Sequence, residues 1–539
     1  RSAMSTIRAA DALARRLYLA GCRRAFGIPG GEVLTLIDAL ETAGIEFTLC
    51  HHENAAGFMA EGAYHVDNAP AILVATVGPG AMNGVNVVAN AEQDRVPMIV
   101  LTGCVDPDEA QTYNHQVLDH RAVFAPITKA TFTLTGGAAA VQADKAVRIA
   151  TGGASGRAGP VHIDVPISVA DAKVPDMVVH HADIAPGVIG EDALATARGW
   201  LASAKRPIML AGLDALRDGA GDAIRAFCEA HSVPLVTTYK GKGLLDERHP
   251  LALGGAGLSP LADRTLLPLF READLIVLAG YDPIEMRPGW RGVWDPASQN
   301  VLDISHAPNL HGMHGSTLEV IAPVGTTLDA IRNGVTAGPV WDVAAKTRDA
   351  LAKSFPVGDW GPDAIVAVCR DVCPQDTIAT VDSGAHRILL SQMWKCPAPR
   401  TLLQSSGLCT MGCALPLAIG AKRAAPDRPV VGFMGDAGFL MVAGELASAA
   451  TLGLPVVFVV FVDQSLALIE LKQRQRQMKN TGVDFGPTDH AAVARAFGGN
   501  GVQVRDRAGL REAMTTALAT DTFTLIACEI DRKAYDGRI

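Results

Sequence analysis

The chain lacks any apolar stretch long enough to cross a bilayer; runs such as Val456 to Val462 and Ile99 to Thr102 are of strand length. It also lacks a basic end followed by a hydrophobic block, so no secretory leader is expected. Arg1-Ser2-Ala3 ahead of Met4 reads as a remnant of expression. Positive charge is short: the net charge of −9 argues against nucleic acid or an anionic membrane as the main partner. None of the ten cysteines forms a CxxC pair. Cys369/Cys373 and Cys409/Cys413 have helical i,i+4 spacing without a nearby histidine to complete a zinc site. They read as small buried hydrophobes in a reducing cytoplasm.

What is present is aliphatic. With 539 residues, 49% hydrophobic and only 5% aromatic, the chain is large enough for three or four domains with the aliphatic cores of α/β proteins. Residues 75–103 and 433–461 share one plan: a strand, a glycine turn, a helix, a proline and a second strand. Gly80 and Pro97 lie 17 residues apart, as do Gly438 and Pro455, which suggests similar domains at the two ends of the chain. Between them, Pro207 to Gly212, Val233 to Thr237 and Ala273 to Gly280 alternate with helical stretches, the pattern of a parallel Rossmann-like sheet. Proline-containing polar segments near 171–188 and 333–341 read as linkers. The expected organisation is therefore three Rossmann-like α/β domains, at 1–180, 190–335 and 350–539. A nicotinamide site is not expected. Gly78-x-Gly80-x-x-x-Gly84 lacks the Rossmann spacing, and Gly212 stands without the full fingerprint.

Chemistry concentrates where Val430 to Met434, a buried strand by pattern, runs into Gly435-Asp436-Ala437-Gly438 and where the next strand delivers Asp463. In a parallel αβ unit both carboxylates reach the same sheet edge, beside a glycine loop and a helix N-terminus. Such an edge suits a diphosphate. Two acids hold a diphosphate only through a hard cation, so the spacing implies Mg2+ as well. The bland alternative is an ordinary turn with two solvated acids.

These residues resemble the motif of thiamine-diphosphate enzymes, a Gly-Asp-x-Gly followed some 25 residues later by an Asn-containing turn. Carried over, the resemblance implies Mg2+ on Asp436, Asp463 and the carbonyl of Ser465, with Asp463 standing where the family usually has Asn. Three further stretches share it. His51-His52-Glu53-Asn54-Ala55-Ala56 through Ala60-Glu61-Gly62 implies that Glu53 bonds N1′ of the aminopyrimidine; by residue type alone Glu53 is a helix-start acid. Ser406 to Pro416 implies that Met411 props the cofactor into its bent shape; by type alone it is a core methionine. Asp382-Ser383-Gly384-Ala385-His386 resembles the other diphosphate loop. Gly31, Cys409, Gly435, Ala437, Gly438, Leu466 and Ala467 complete the implied cofactor contacts.

Other segments resemble acetolactate synthases, particularly the catabolic, flavin-independent kind, so FAD is not expected. They are Gly27 to Gly31, His115-Gln116-Val117-Leu118-Asp119, Phe124 to Lys129, Gly280 to Glu285 and Gly482 to Pro487. The resemblance implies decarboxylation of a 2-oxo acid, with pyruvate expected, followed by carboligation. His115 and Gln116 are candidates for binding substrate or moving protons. It further implies a homodimer at minimum, with a homotetramer expected, because one subunit supplies the acid and its neighbour the metal and diphosphate. Glu32, at a place where catabolic synthases often carry Lys, would repel a second 2-oxo acid if it pointed inward. A 2-oxo-acid decarboxylase or aldehyde carboligase with the same cofactor is therefore the alternative.

Overall fold

The computed structural model describes residues 5–153, 156–180 and 184–539; Arg1 to Met4 lie outside them, as do residues 181–183 of the first expected linker. Three six-stranded parallel sheets carry the chain. The first runs Glu46–Leu49, Arg24–Gly27, Ala71–Ala75, Met98–Cys104, Pro160–Pro166, Ala130–Thr133. The third runs Leu402–Gln404, Ile378–Val381, Val430–Gly435, Val457–Val462, Thr524–Glu529, Asn500–Val504. Numbered along the chain within each sheet, both have strand order 2-1-3-4-6-5. The middle sheet, built from Pro207–Ala211 to Leu318–Ile321, has order 3-2-1-4-5-6. The three expected α/β regions are thus present, and the resemblance of the two ends extends to topology.

The sequence dictates these strands plainly. Val457–Val462 is an unbroken run of β-branched and aromatic residues, buried throughout, as a central parallel strand covered on both faces must be. In both end domains the crossover after the third strand is a broken helix. Pro79–Asn83 and Val85–Gln93 form one; Asp436–Val442 and Leu446–Thr451, separated by a 3₁₀ turn, form the other. Two expectations shift. The glycine loop 435–438 shrinks, because the strand reaches Gly435 and Asp436 already opens the helix, its carboxylate accepting the Ala437 amide at 2.9 Å. Part of the 171–188 linker is a strand: Lys173–Pro175 pairs antiparallel with Thr6–Arg8. That pairing is long-range and has no local signature.

Packing divides the chain into two compact units. One comprises the chain up to Ile184 with Ser405–Asp427 and Val442–Val456; the other comprises Ala185–Gln404, Arg428–Met441 and Val457–Ile539. Within the first, helix Glu53–Asp67 lies against helix Ala414–Ala424 with backbone touching backbone. A Cβ on Gly62 would fall 2.2 Å from the Leu417 carbonyl oxygen, and one on Gly420 would fall 1.9 Å from that of Met59. Small residues at a crossing let two helices approach this closely, and no side-chain rotation relieves a clash with a backbone oxygen. Gly420→Val is therefore expected to destabilise the fold by about 3 kcal/mol or more. A urea-unfolding midpoint unchanged from the parent's would refute this packing.

Candidate functional site

Two constellations of polar groups collect at the carboxyl edges of the end sheets, where the strand order reverses and open α/β sheets bind ligands. The first lies in the unit that contains Glu53. Strand Glu46–Leu49 ends three residues before His52, whose side chain accepts the Asn54 amide and caps helix Glu53–Asp67. Glu53 is buried at the first helical position. Its Oε2 accepts a hydrogen bond from Asn83 Nδ2 at 2.9 Å, while Oε1 lies 3.1 Å from where a Cβ on Gly80 would sit. Glycine at position 80 therefore leaves one carboxyl oxygen accessible while the other is anchored.

Glu445 reaches the same helix start. Its Oε1 accepts the amides of His51 and His52, both at 2.9 Å, and Ser448 Oγ donates to its Oε2 at 2.7 Å. Asn86 bridges Asn54 Oδ1 at 3.2 Å and Thr410 Oγ1 at 3.0 Å, so the turn that carries Met411 and the residue after Glu53 share one amide. Met411 is half-buried there, beside exposed Cys409. Gly31 is exposed. Glu32 is engaged: its Oε2 accepts from Thr76 Oγ1 at 2.7 Å, and Thr76 also packs against Gly30 and Gly80. His115 and Gln116 sit on an exposed segment, Gln116 with a left-handed φ of +60°.

The second constellation lies wholly in the other unit. Asp436 is 2% exposed, and its Oδ2 accepts the amides of Asp463 at 3.1 Å and Gln464 at 2.7 Å. Asp463 in turn accepts the Ser465 amide at 3.1 Å, and Ser465 Oγ donates to Asp484 at 3.2 Å. Gly435 donates its amide at 3.3 Å to Asp382 Oδ1, which also binds His386 Nε2 at 2.6 Å. Gly384 and Ala385 open the helix that carries His386. Leu466 caps helix Ala467–Gln475 on the other flank. The structure thus gathers Gly384, Ala385, His386, Gly435, Asp436, Ala437, Gly438, Asp463, Ser465, Leu466 and Ala467 in one unit, and Gly31, Glu53, His115, Gln116, Cys409 and Met411 in the other.

Crowding two acids has an electrostatic signature. Burial, followed by the Asp436 charge, pushes the Asp463 carboxyl up to about 8, and burial raises Asp436 as well. Among the described residues no cluster of three or more His, Cys, Asp or Glu side chains could hold a metal. A cation here would need a backbone oxygen as its third protein ligand. Two carboxylates and a carbonyl form an all-oxygen set, which fits a hard divalent ion.

Sequence reasoning missed Asn83, Glu445, Asp382 as a hub, and Tyr535. Tyr535 is buried against Ala385 and Ala467, and its hydroxyl is raised by burial, then by Asp463, Asp436 and Asp382. Only the glycine-rich context of Asn83 and Asp382 was visible locally. Glu445 and Tyr535 arrive from distant segments.

Residues 7–123 match the family described as the thiamine pyrophosphate enzyme N-terminal TPP binding domain, 194–331 its central domain, and 382–528 its C-terminal TPP binding domain. The chain is 29% identical to the acetolactate synthase of Bacillus subtilis, covering 97% of this chain and 93% of that protein. It is 27% identical to the catabolic acetolactate synthase of Raoultella terrigena, covering 97% and 95%. A probable 2-ketoarginine decarboxylase of Pseudomonas aeruginosa is 30% identical over 97% of this chain and 94% of its own length.

The acid pair sets a pH dependence for metal-free protein. An acid whose folded-state pKa is raised costs nothing below its unfolded value near 3.8, and its cost grows until the folded value near 8 is passed. Stability should therefore fall between pH 4 and pH 8, at about 1.4 kcal/mol per unit of displacement as an upper bound. Asp463→Asn is expected to flatten much of that decline. Unfolding midpoints in chelator across this range provide the check; a parent equally stable at both ends contradicts it.

Proposed function

We propose that this chain, which belongs to the thiamine pyrophosphate enzyme family in its acetolactate synthase-like branch, decarboxylates a 2-oxo acid and ligates the product to an acceptor. Pyruvate is the proposed donor, and thiamine diphosphate with Mg2+ the proposed cofactor pair. The observation that carries the reading is the pair Asp436 and Asp463 at the carboxyl edge of its sheet, one buried and one partly buried acid joined through the Asp463 amide, whose mutual cost a cation would remove.

When bound, thiamine diphosphate would supply an acidic carbon whose conjugate base is a nucleophile for a 2-carbonyl, and an electron sink for the loss of CO2. The chain supplies the rest. Glu53 holds and shares a proton with the aminopyrimidine at N1′ through Oε1, the oxygen that Asn83 leaves accessible. Met411 would pack against the cofactor. Asp436, Asp463 and the Ser465 carbonyl would hold Mg2+, and the turns Gly384 to His386 and Gly435 to Gly438 would receive the diphosphate. Gly31, Cys409, Leu466 and Ala467 complete the cradle, while His115 and Gln116 orient substrate or relay protons. The domain bounds follow as 1–180 for the pyrimidine, 190–335 for the centre and 350–539 for the diphosphate.

The family arrangement supports a homodimer at minimum, with a homotetramer as the proposed assembly. None of the ten cysteines is disulfide-bonded, which supports a reducing, cytoplasmic setting. No helix among the described residues is long and apolar enough to cross a membrane. A second reading has its own support. Glu32, whose carboxylate accepts from Thr76, stands where catabolic synthases often carry Lys, and one relative is a decarboxylase by name, so a simple 2-oxo-acid decarboxylase or an aldehyde carboligase is the alternative.

Incubation with pyruvate, thiamine diphosphate and Mg2+ should yield acetolactate; acetaldehyde or acetoin in its place would favour the alternative. Glu53→Gln should lower turnover about 10²–10⁴-fold with an unchanged circular dichroism spectrum. Near-parental turnover in that variant would remove Glu53 from its role.

A further inference from the structure

The first sheet carries a stripe of polar side chains where its neighbours are aliphatic. Thr131, His162, Asp164 and Thr102 project from three adjacent strands, and His120 descends onto them from helix His120–Phe124. His120 is 1% exposed, His162 is fully buried and Asp164 is 8% exposed. A network this deep is costly unless every member is satisfied. Here it is, and the protons can be assigned from the end that has no choice.

The Gly78 amide can only donate, and it lies 3.0 Å from His120 Nε2. Nε2 must therefore be the acceptor, so Nδ1 carries the ring proton and donates it to Asp164 Oδ1 at 3.0 Å. Thr102 Oγ1 donates to the same oxygen at 2.7 Å. Having given up its proton, Thr102 must accept from His162 Nε2 at 2.7 Å, which leaves His162 Nδ1 to accept from Thr131 Oγ1 at 2.7 Å. Burial lowers His162 to about 4, so it stays neutral, as the pattern requires. Every proton points towards Asp164, and His120 has one permitted tautomer.

The network ends on a strained turn. Gly78 adopts φ +68° and ψ −110°, and its α-carbon is pressed against Gln116, where a Cβ would meet the Gln116 Cβ and carbonyl oxygen at 3.2 Å each. Gln116 is itself left-handed, a conformation that a non-glycine residue keeps only where its surroundings impose it. Two residues on, Gly80 forms the wall beside Glu53 Oε1. We propose that His120 and Asp164 are positioning residues: a buried imidazole–carboxylate pair of fixed tautomer that holds the Gly78 turn, and through it Gln116 and the wall of Glu53. The consequence for turnover rests on the role assigned to Glu53 above; the consequence for the turn does not.

The test compares His120→Phe, which removes the acceptor, with His120→Gln, which restores one, and Asp164→Val with Asp164→Asn, whose Oδ1 can still accept both donors. His120→Asn, too short to reach Gly78, replaces His120→Phe if the latter does not fold. Hydrogen–deuterium exchange of the Gly78 amide should accelerate at least tenfold in His120→Phe and Asp164→Val, and return towards the parental rate in His120→Gln and Asp164→Asn. Turnover of pyruvate should fall about 10–100-fold in the first pair, with the calorimetric Kd for thiamine diphosphate changing less than about threefold, and recover in the second. The proposal is overturned if His120→Phe retains parental turnover and Gly78 protection, or if His120→Gln restores protection but not turnover. If the parent itself binds no thiamine diphosphate, the assignment of Glu53 fails instead, and the exchange rates alone decide whether the pair holds the turn.

Discussion

Asp436 accepts amide hydrogens from its own helix start and from the residues that end the neighbouring strand, and the geometry of the second constellation hangs on this one carboxylate. A buried acid is tolerated only where donors converge on it. Here the donors are backbone groups at the ends of two parallel strands, so satisfying the acid also locks the strands' relative register. Asp463 is thereby held close to a like charge, which neither residue would accept in isolation. The site stores an electrostatic cost that the surrounding sheet is stiff enough to maintain, and a divalent cation is the natural means of relieving it.

The first constellation solves a different problem. Glu53 is anchored through one of its two oxygens. Asn83 takes one, glycine at position 80 keeps the approach to the other open, and Glu445 fixes the chain just upstream by gathering the amides of His51 and His52. Their contribution is to remove the freedom of a side chain that would otherwise sample several rotamers at a helix start, the kind of pre-organisation on which positioning depends.

Much of this was legible before any coordinates. Glu53 was expected at a helix start because a β-rich run ends just before it and small residues follow, and the helix begins there. The apolar runs before Asp436 and Asp463 were readable as strands because buried parallel strands have a nearly uniform composition. The equal glycine–proline spacings marked two related crossovers, which the shared strand order bears out. What escaped was whatever depends on chain segments meeting from afar. Lys173–Pro175 looks like a linker until Thr6–Arg8 lies beside it, and Glu445 looks like a solvated helix acid until the amides of His51 and His52 are brought to it. Periodicity carries local structure; it carries no information about which distant backbone group will need a partner.

The reciprocal glycine contact between helices Glu53–Asp67 and Ala414–Ala424 bears on mechanics as well as packing. Joints made by interdigitating side chains depend on the rotamers those side chains hold. A seam in which peptide groups rest directly on one another has no such dependence. The acid at the head of the first helix is thus referenced to a backbone-on-backbone seam two to three turns away.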